Sequence, residues 1–134
     1  MTLVLCLDDN LGMMFNHRRQ SRDRVLIEEL LTTVGDRRLF VSPYSKTLFP
    51  EGAAPITVAE DPGAAAGEND FAFVEDTDPA TAWDKVNSLI LYRWNRAYPA
   101  DTRFTCDLTG FRMTDVTAFE GSSHELINKE IWKK

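Results

Sequence analysis

The segment Leu3–His17, LVLCLDDNLGMMFNH, constrains the fold of this chain more than any other. Apolar residues run from Leu3 to Leu7 without alternating, the pattern of a strand buried on both faces in the interior of a parallel sheet. The run stops at Asp8-Asp9-Asn10 and Gly12 follows, so the strand empties into a polar loop with one flexible backbone position. In open α/β sheets ligands bind outside the carboxyl ends of the strands. The expected site therefore lies at this loop.

The remaining sequence supplies partners for that strand. After Asp8–Arg19, read as a loop, Ser21 can cap a helix with Asp23 in its first turn, where an acid suits the helix dipole. Ile27, Leu30, Leu31 and Val34 fall at i, i+3, i+4 and i+7, a core-facing stripe that Gly35 ends. Leu39–Val41 is a second strand, stopped by Ser42-Pro43. Between Pro50 and Asn69 Gly, Ala and Pro surround one short strand, Ile56–Val58, and a helical turn at Asp61-Pro62-Gly63. Phe71–Val74 is another strand, and Asp78-Pro79 opens a helix to about Val86 that turns Trp83 and Val86 inward.

Leu89–Arg96 alternates as a strand. A helix from Pro79 to Tyr98 would also be amphipathic, but Asn87-Ser88 interrupts it. Thr102–Cys106, Phe111–Phe119 and Glu125–Trp132 complete an antiparallel C-terminal set. The sequence thus predicts one α/β domain over residues 1–134 with a mixed central sheet.

Composition narrows the function. With 15 basic and 21 acidic residues the net charge is −6, which argues against binding a nucleic-acid backbone. The basic residues cluster once, at His17-Arg18-Arg19 with Arg22 and Arg24. Cys6 and Cys106 are each expected in a strand, and without CxxC spacing they give no zinc or redox signature. Free thiols in a reducing cytosol are the expectation. The opening apolar run is too short for a signal peptide and lacks a basic flank, and no stretch approaches a membrane span.

The chain resembles the dihydrofolate reductase family at both ends. That family's first strand runs into polar residues, then Asn, x, Gly-Ile-Gly, x, Asn; Asp8-Asp9, Asn10, Gly12-Met13-Met14 and Asn16 follow that order, with Met14 at the second glycine. Ser45-Lys46-Thr47-Leu48 stands where the family has Gly-Arg-x-Thr-Trp. Near the C-terminus Leu89–Tyr92, Asp101-Thr102-Arg103-Phe104, Asp107 and Phe111 track the family's strand, Asp-Thr-x-Phe, Asp and aromatic. The resemblance covers roughly half the chain and implies a dihydrofolate-reductase-like sheet. It also implies an active-site acid on the first helix, for which Asp23 is the counterpart, and NADPH as cofactor. The family's Gly-Gly would fall after Phe71–Val74, where this chain has Glu75-Asp76. Two acids there would repel phosphates, so NADPH is expected to bind no tighter than about millimolar. The texture is also similar to a small bacterial family sometimes labelled ribonuclease Z. That label implies a His-rich zinc motif, which a chain with only His17 and His124 lacks.

The expected site is a crevice in which Asp8, Asp9, Asn10, Asn16, Arg18, Arg19 and Ser21 bind a ligand, with Asp8, Asp9, Asn16, Arg18, Arg19 and Asp23 converging on one opening. Three functions follow from it. The first is a binding or interaction module with a degenerate nucleotide site, taking a small molecule or a protein partner. The second is a reductase of a pteridine-like substrate, using NADPH or a flavin, with Asp23 as proton donor. The third is a small acidic immunity or inhibitor-type protein. The sequence leaves the cofactor and the oligomeric state open. Two lesser motifs have ordinary explanations: Asp8-Asp9 as a polar strand end rather than a cation site, and Ser122-Ser123-His124 as a turn capped by hydroxyls rather than a hydrolytic pair.

Overall fold

A computed structural model describes residues 1–53 and 55–134. The strands are β1 (Thr2–Leu7), β2 (Gly12–Phe15), β3 (Arg18–Arg19), β4 (Leu39–Val41), β5 (Ile56–Val58), β6 (Phe71–Phe73), β7 (Ser88–Arg93), β8 (Thr102–Arg103), β9 (Arg112–Phe119) and β10 (Ile127–Lys133). Between them lie α1 (Arg24–Val34), α2 (Pro43–Lys46), α3 (Pro62–Ala65) and a 3₁₀ helix over Pro79–Lys85. Seven strands form the main sheet in the order β5-β4-β6-β1-β7-β10-β9. The first five are parallel, and β10 and β9 continue the sheet antiparallel.

β1 sits in the interior of this sheet, between β6 and β7, as its unbroken apolar run requires. Its alternate side chains feed two cores. Val4 joins Leu26, Ile27, Leu30 and Val34 of α1 on one face; Leu3, Leu5 and Leu7 join Met13, Met14, Leu89 and Leu91 on the other. The expected stripe on α1 packs as anticipated, except that Leu31 stays half-buried and Leu26 is added. Gly35 ends the helix at φ 61°, a left-handed value that glycine adopts without strain. Glu29 of α1 fastens the helix to the sheet, accepting from the Tyr92 hydroxyl and from Lys129 Nζ (2.9 Å).

Four expectations need correction. Asp23, not Ser21, is the N-cap of α1, because its own backbone is extended (φ −144°) and its carboxylate accepts from the Leu26 N–H. Asp8–Arg19 is not an open loop. β2 and β3 form a hairpin whose two turn residues, Asn16 and His17, both have positive φ (52° and 62°). That is the requirement of a type I′ turn, and it brings Phe15 directly opposite Arg18. The first strand of the expected C-terminal set, Thr102–Cys106, shrinks to Thr102–Arg103 and pairs with β2 in a separate three-stranded sheet, so Cys106 lies outside any strand. The segment after Asp78 is a kinked 3₁₀ helix, although Val86 is buried and Trp83 packs on the core as expected.

Candidate functional site

The end of β1 is tied down from within. Asp8 is buried, and its Oδ1 accepts from the N–H of Gly12 (2.7 Å) and Asn10 (2.8 Å). Its Oδ2 accepts from the Tyr98 N–H (3.0 Å) and Gln20 Nε2 (3.2 Å). Burial opposes the charge, but the donors of Tyr98, Gly12, Asn10 and Gln20 outweigh it and hold the carboxyl below its ordinary range. Both oxygens are committed to N–H donors, which leaves no lone-pair geometry for a cation. A Cβ on Gly12 would lie 2.9 Å from Asp8 Oδ1 and 2.7 Å from the Ala100 side chain, so glycine is required there by close approach. Asp9 and Asn10 are exposed at the turn.

Arg19 leaves the β1 end altogether. It forms a two-pronged pair with Glu75, Nε to Oε2 at 2.9 Å and Nη2 to Oε1 at 3.0 Å, and its guanidinium lies 4.2 Å from the centre of the Tyr44 ring. Glu75 Oε1 also accepts from Ser45 Oγ (2.7 Å), and the neighbouring Asp76 accepts from Ser42 Oγ (2.7 Å). Ser42 is the N-cap of α2. The two acids that follow β6 therefore occupy the hydroxyl and guanidinium donors gathered beside β4.

Asp23 takes a third direction. It is 3% exposed and accepts from three donors: the N–H of Leu26 (2.9 Å), the N–H of Ser123 (2.7 Å) and Ser123 Oγ (2.8 Å). Burial resists ionisation, yet these donors bring its pKa down to about 2. A group so ionised can only accept, which sets the direction of a chain of hydrogen bonds. Ser123 Oγ–H donates to Asp23, so Ser123 Oγ must accept from His124 Nδ1 (2.6 Å). A neutral imidazole then has a bare Nε2, which accepts from the Tyr98 hydroxyl (2.6 Å). His124 is 6% exposed and stacked on Trp94; burial, then the charge of Arg96, lowers its pKa, consistent with the neutral ring.

Ser123 and His124 are adjacent in sequence yet touch because they lie in a bend, not on a strand where neighbours point apart. Neither is set up as a nucleophile–base pair, since the Ser123 proton is aimed at Asp23. Ser122 accepts from the Arg24 N–H (2.9 Å), so its hydroxyl serves the first turn of α1 and not the turn it was expected to cap.

The expected convergence is therefore not what the chain builds. The space framed by Cys6, Ser21, Asp23, Leu26, Glu75 and Trp94 amounts to about 10 Å³, hardly room for one water. Trp94 and Leu48 fill what the sequence suggested would be open. Of the predicted residues only Asn16, Arg18 and Arg19 share an open hollow, of about 450 Å³, with Phe15, Gln20, Tyr98 and Pro99. Asp8, Asp9, Asn10, Ser21 and Asp23 do not line it. Arg18 is exposed and enters no ion pair among the described residues. Sequence reasoning missed Phe15, Tyr98 and Pro99; the signal was there for Phe15, an aromatic three positions before Arg18 across a possible two-residue turn.

No protein-family model matches the chain, and no curated protein matches it. Its architecture is nevertheless shared with solved structures. Dihydrofolate reductase from Enterococcus faecalis, complexed with NADP(H) and RAB-propyl, superposes with a TM-score of 0.69 over 98% of this chain and 94% of its own, at 7% sequence identity. The chain has a dihydrofolate-reductase-like fold.

Proposed function

We propose that this chain uses the dihydrofolate-reductase-like fold as a binding module rather than as a reductase. One observation carries the reading: Glu75 and Asp76 accept from Arg19, Ser45 and Ser42. Those donors would suit phosphate oxygens, and the chain's own carboxylates satisfy them. A dinucleotide does not fit these residues, because its phosphates would meet two acids and no free donor among them. The filled space at the end of β1 supports the same reading, since small-molecule pockets usually measure some 300–1,000 Å³. Asp23, ionised and holding three donors, is poorly suited to giving up a proton. Open hollows remain on either side of the β2–β3 hairpin, a larger one of about 700 Å³ beside Met14, His17, Tyr44 and Asp76 and one of about 450 Å³ beside Phe15, Arg18 and Tyr98. The second is the face we assign to recognition.

A reductase reading is favoured by one finding, that the similar structure is a dihydrofolate reductase complexed with NADP(H). A thermal-shift panel separates the two. NADPH, NADH, FMN and folates should leave the melting temperature unchanged at millimolar concentration. A ligand present at a hundred times its dissociation constant would add about 2.7 kcal/mol of stability and be seen at once.

A further inference from the structure

We infer that the smaller hollow beside the β2–β3 hairpin is a site for a small aromatic carboxylate; this rests on the binding-module reading above and gives it a ligand class. The type I′ turn at Asn16–His17 sets Phe15 and Arg18 as direct cross-strand neighbours. Such pairs share one face of the ladder with Cβ atoms about 5 Å apart. An exposed ring (47%) and an exposed cation thus stand side by side over a hollow of about 450 Å³. The hollow is wide enough for one substituted ring and too small for a dinucleotide.

The opposite wall is rigid. Tyr98 is held at both ends, its N–H donating to Asp8 and its hydroxyl to His124, and Pro99 follows with its fixed φ. Gln20 is fixed in the floor by its bond to Asp8. Walls that do not need ordering lower the cost of binding. The two arginines divide the work. Arg19 is spent on Glu75, whereas Arg18 makes no ion pair among the described residues and keeps its planar fork for a carboxylate. A bare anion would gain only the Arg18 contact; an aromatic amine would meet the cation unfavourably. A ring bearing one carboxylate satisfies both Phe15 and Arg18.

Titration of the ¹⁵N-labelled full chain with sodium benzoate tests this, with acetate and benzylamine as controls. Benzoate should shift the amides of Phe15, Asn16, Arg18 and Tyr98 saturably, while neither control reproduces the shifts. Arg18→Ala should weaken benzoate binding roughly tenfold or more, the scale of a lost charge-assisted hydrogen bond, and Phe15→Ala should weaken it with Arg18 intact. Both residues are exposed, and unchanged spectra away from the hairpin will show that the variants fold. The inference is overturned if benzoate shifts nothing, if the shifts fall elsewhere, if acetate matches benzoate, or if Arg18→Ala binds as the parent does. NADPH added to the same sample separates the two readings: if benzoate and NADPH both fail to bind, only the ligand class is wrong, whereas micromolar NADPH binding removes the binding-module reading itself.

Discussion

Arg19 and Glu75, 56 positions apart in the chain, meet through two parallel N–H···O contacts of 2.9 and 3.0 Å, with their side chains 14% and 10% exposed. An ion pair so far removed from water is held by its complete set of partners: Ser45 on the acid, the Tyr44 ring and carbonyl on the base. Removing one member leaves the other charged and unsatisfied. Glu75→Ala should therefore cost about 3 kcal/mol in urea-induced unfolding. The double change Arg19→Met with Glu75→Leu should cost clearly less than that single change, because two apolar groups do not need each other's charge.

Asp23 makes stability depend on acid. Its pKa of about 2 in the folded chain lies below the ordinary value of 3.8, so the unfolded chain binds its proton first as pH falls. The contribution, about 2 kcal/mol, is complete above pH 4 and is lost between roughly pH 4 and pH 2. In Asp23→Asn the stability-against-pH curve should be flatter through that window, by about that amount, when chemical denaturation is followed at successive pH values.

The wiring from Tyr98 to Asp23 fixes a tautomer. With Ser123 donating to the carboxylate, His124 must carry a proton on Nδ1, and burial, which lowers its pKa, keeps the ring neutral at pH 7 with Nε2 bare. Nitrogen NMR of the imidazole should show a protonated Nδ1 and a bare Nε2. Because burial lowers this group's pKa, the unfolded chain takes up the proton first below about pH 6.5. His124 therefore subtracts stability as the pH falls through that range.

The hairpin turn stores a small strain. His17 has φ 62°, a left-handed value that glycine accepts more readily. His17→Gly should raise the melting temperature slightly, equivalent to at most about 1 kcal/mol, whereas a β-branched residue there should lower it. Gly12→Ala acts in the opposite sense. Its Cβ would overlap Asp8 Oδ1 and the Ala100 side chain, and the crowding should cost about 1–3 kcal/mol.

These sites also mark where the sequence was legible. The Leu3–Leu7 run, the Ile27–Val34 stripe and the Leu89–Tyr92 alternation depend on neighbours a few positions away, so periodicity revealed β1, α1 and β7. The β2–β3 turn was concealed because Asn-His, unlike Asn-Gly, is a weak signal for two left-handed residues in a row. Thr102–Arg103 was assigned to the wrong sheet because strand pairing over nearly 90 positions leaves no local trace. For the site, the sequence placed the right residue types near β1, but a charge does not announce its partner. Asp8 turned to backbone amides, Arg19 to Glu75 and Asp23 to Ser123, each separating from a cluster that looked continuous in one dimension.

The central claim is that carboxylates of this chain take the donors a dinucleotide phosphate would need. Isothermal calorimetry of NADPH against the intact chain at neutral pH tests it most directly. The account predicts no binding tighter than about millimolar, because Glu75 and Asp76 already hold Arg19, Ser45 and Ser42. A micromolar dissociation constant would contradict it and return the chain to the reductases.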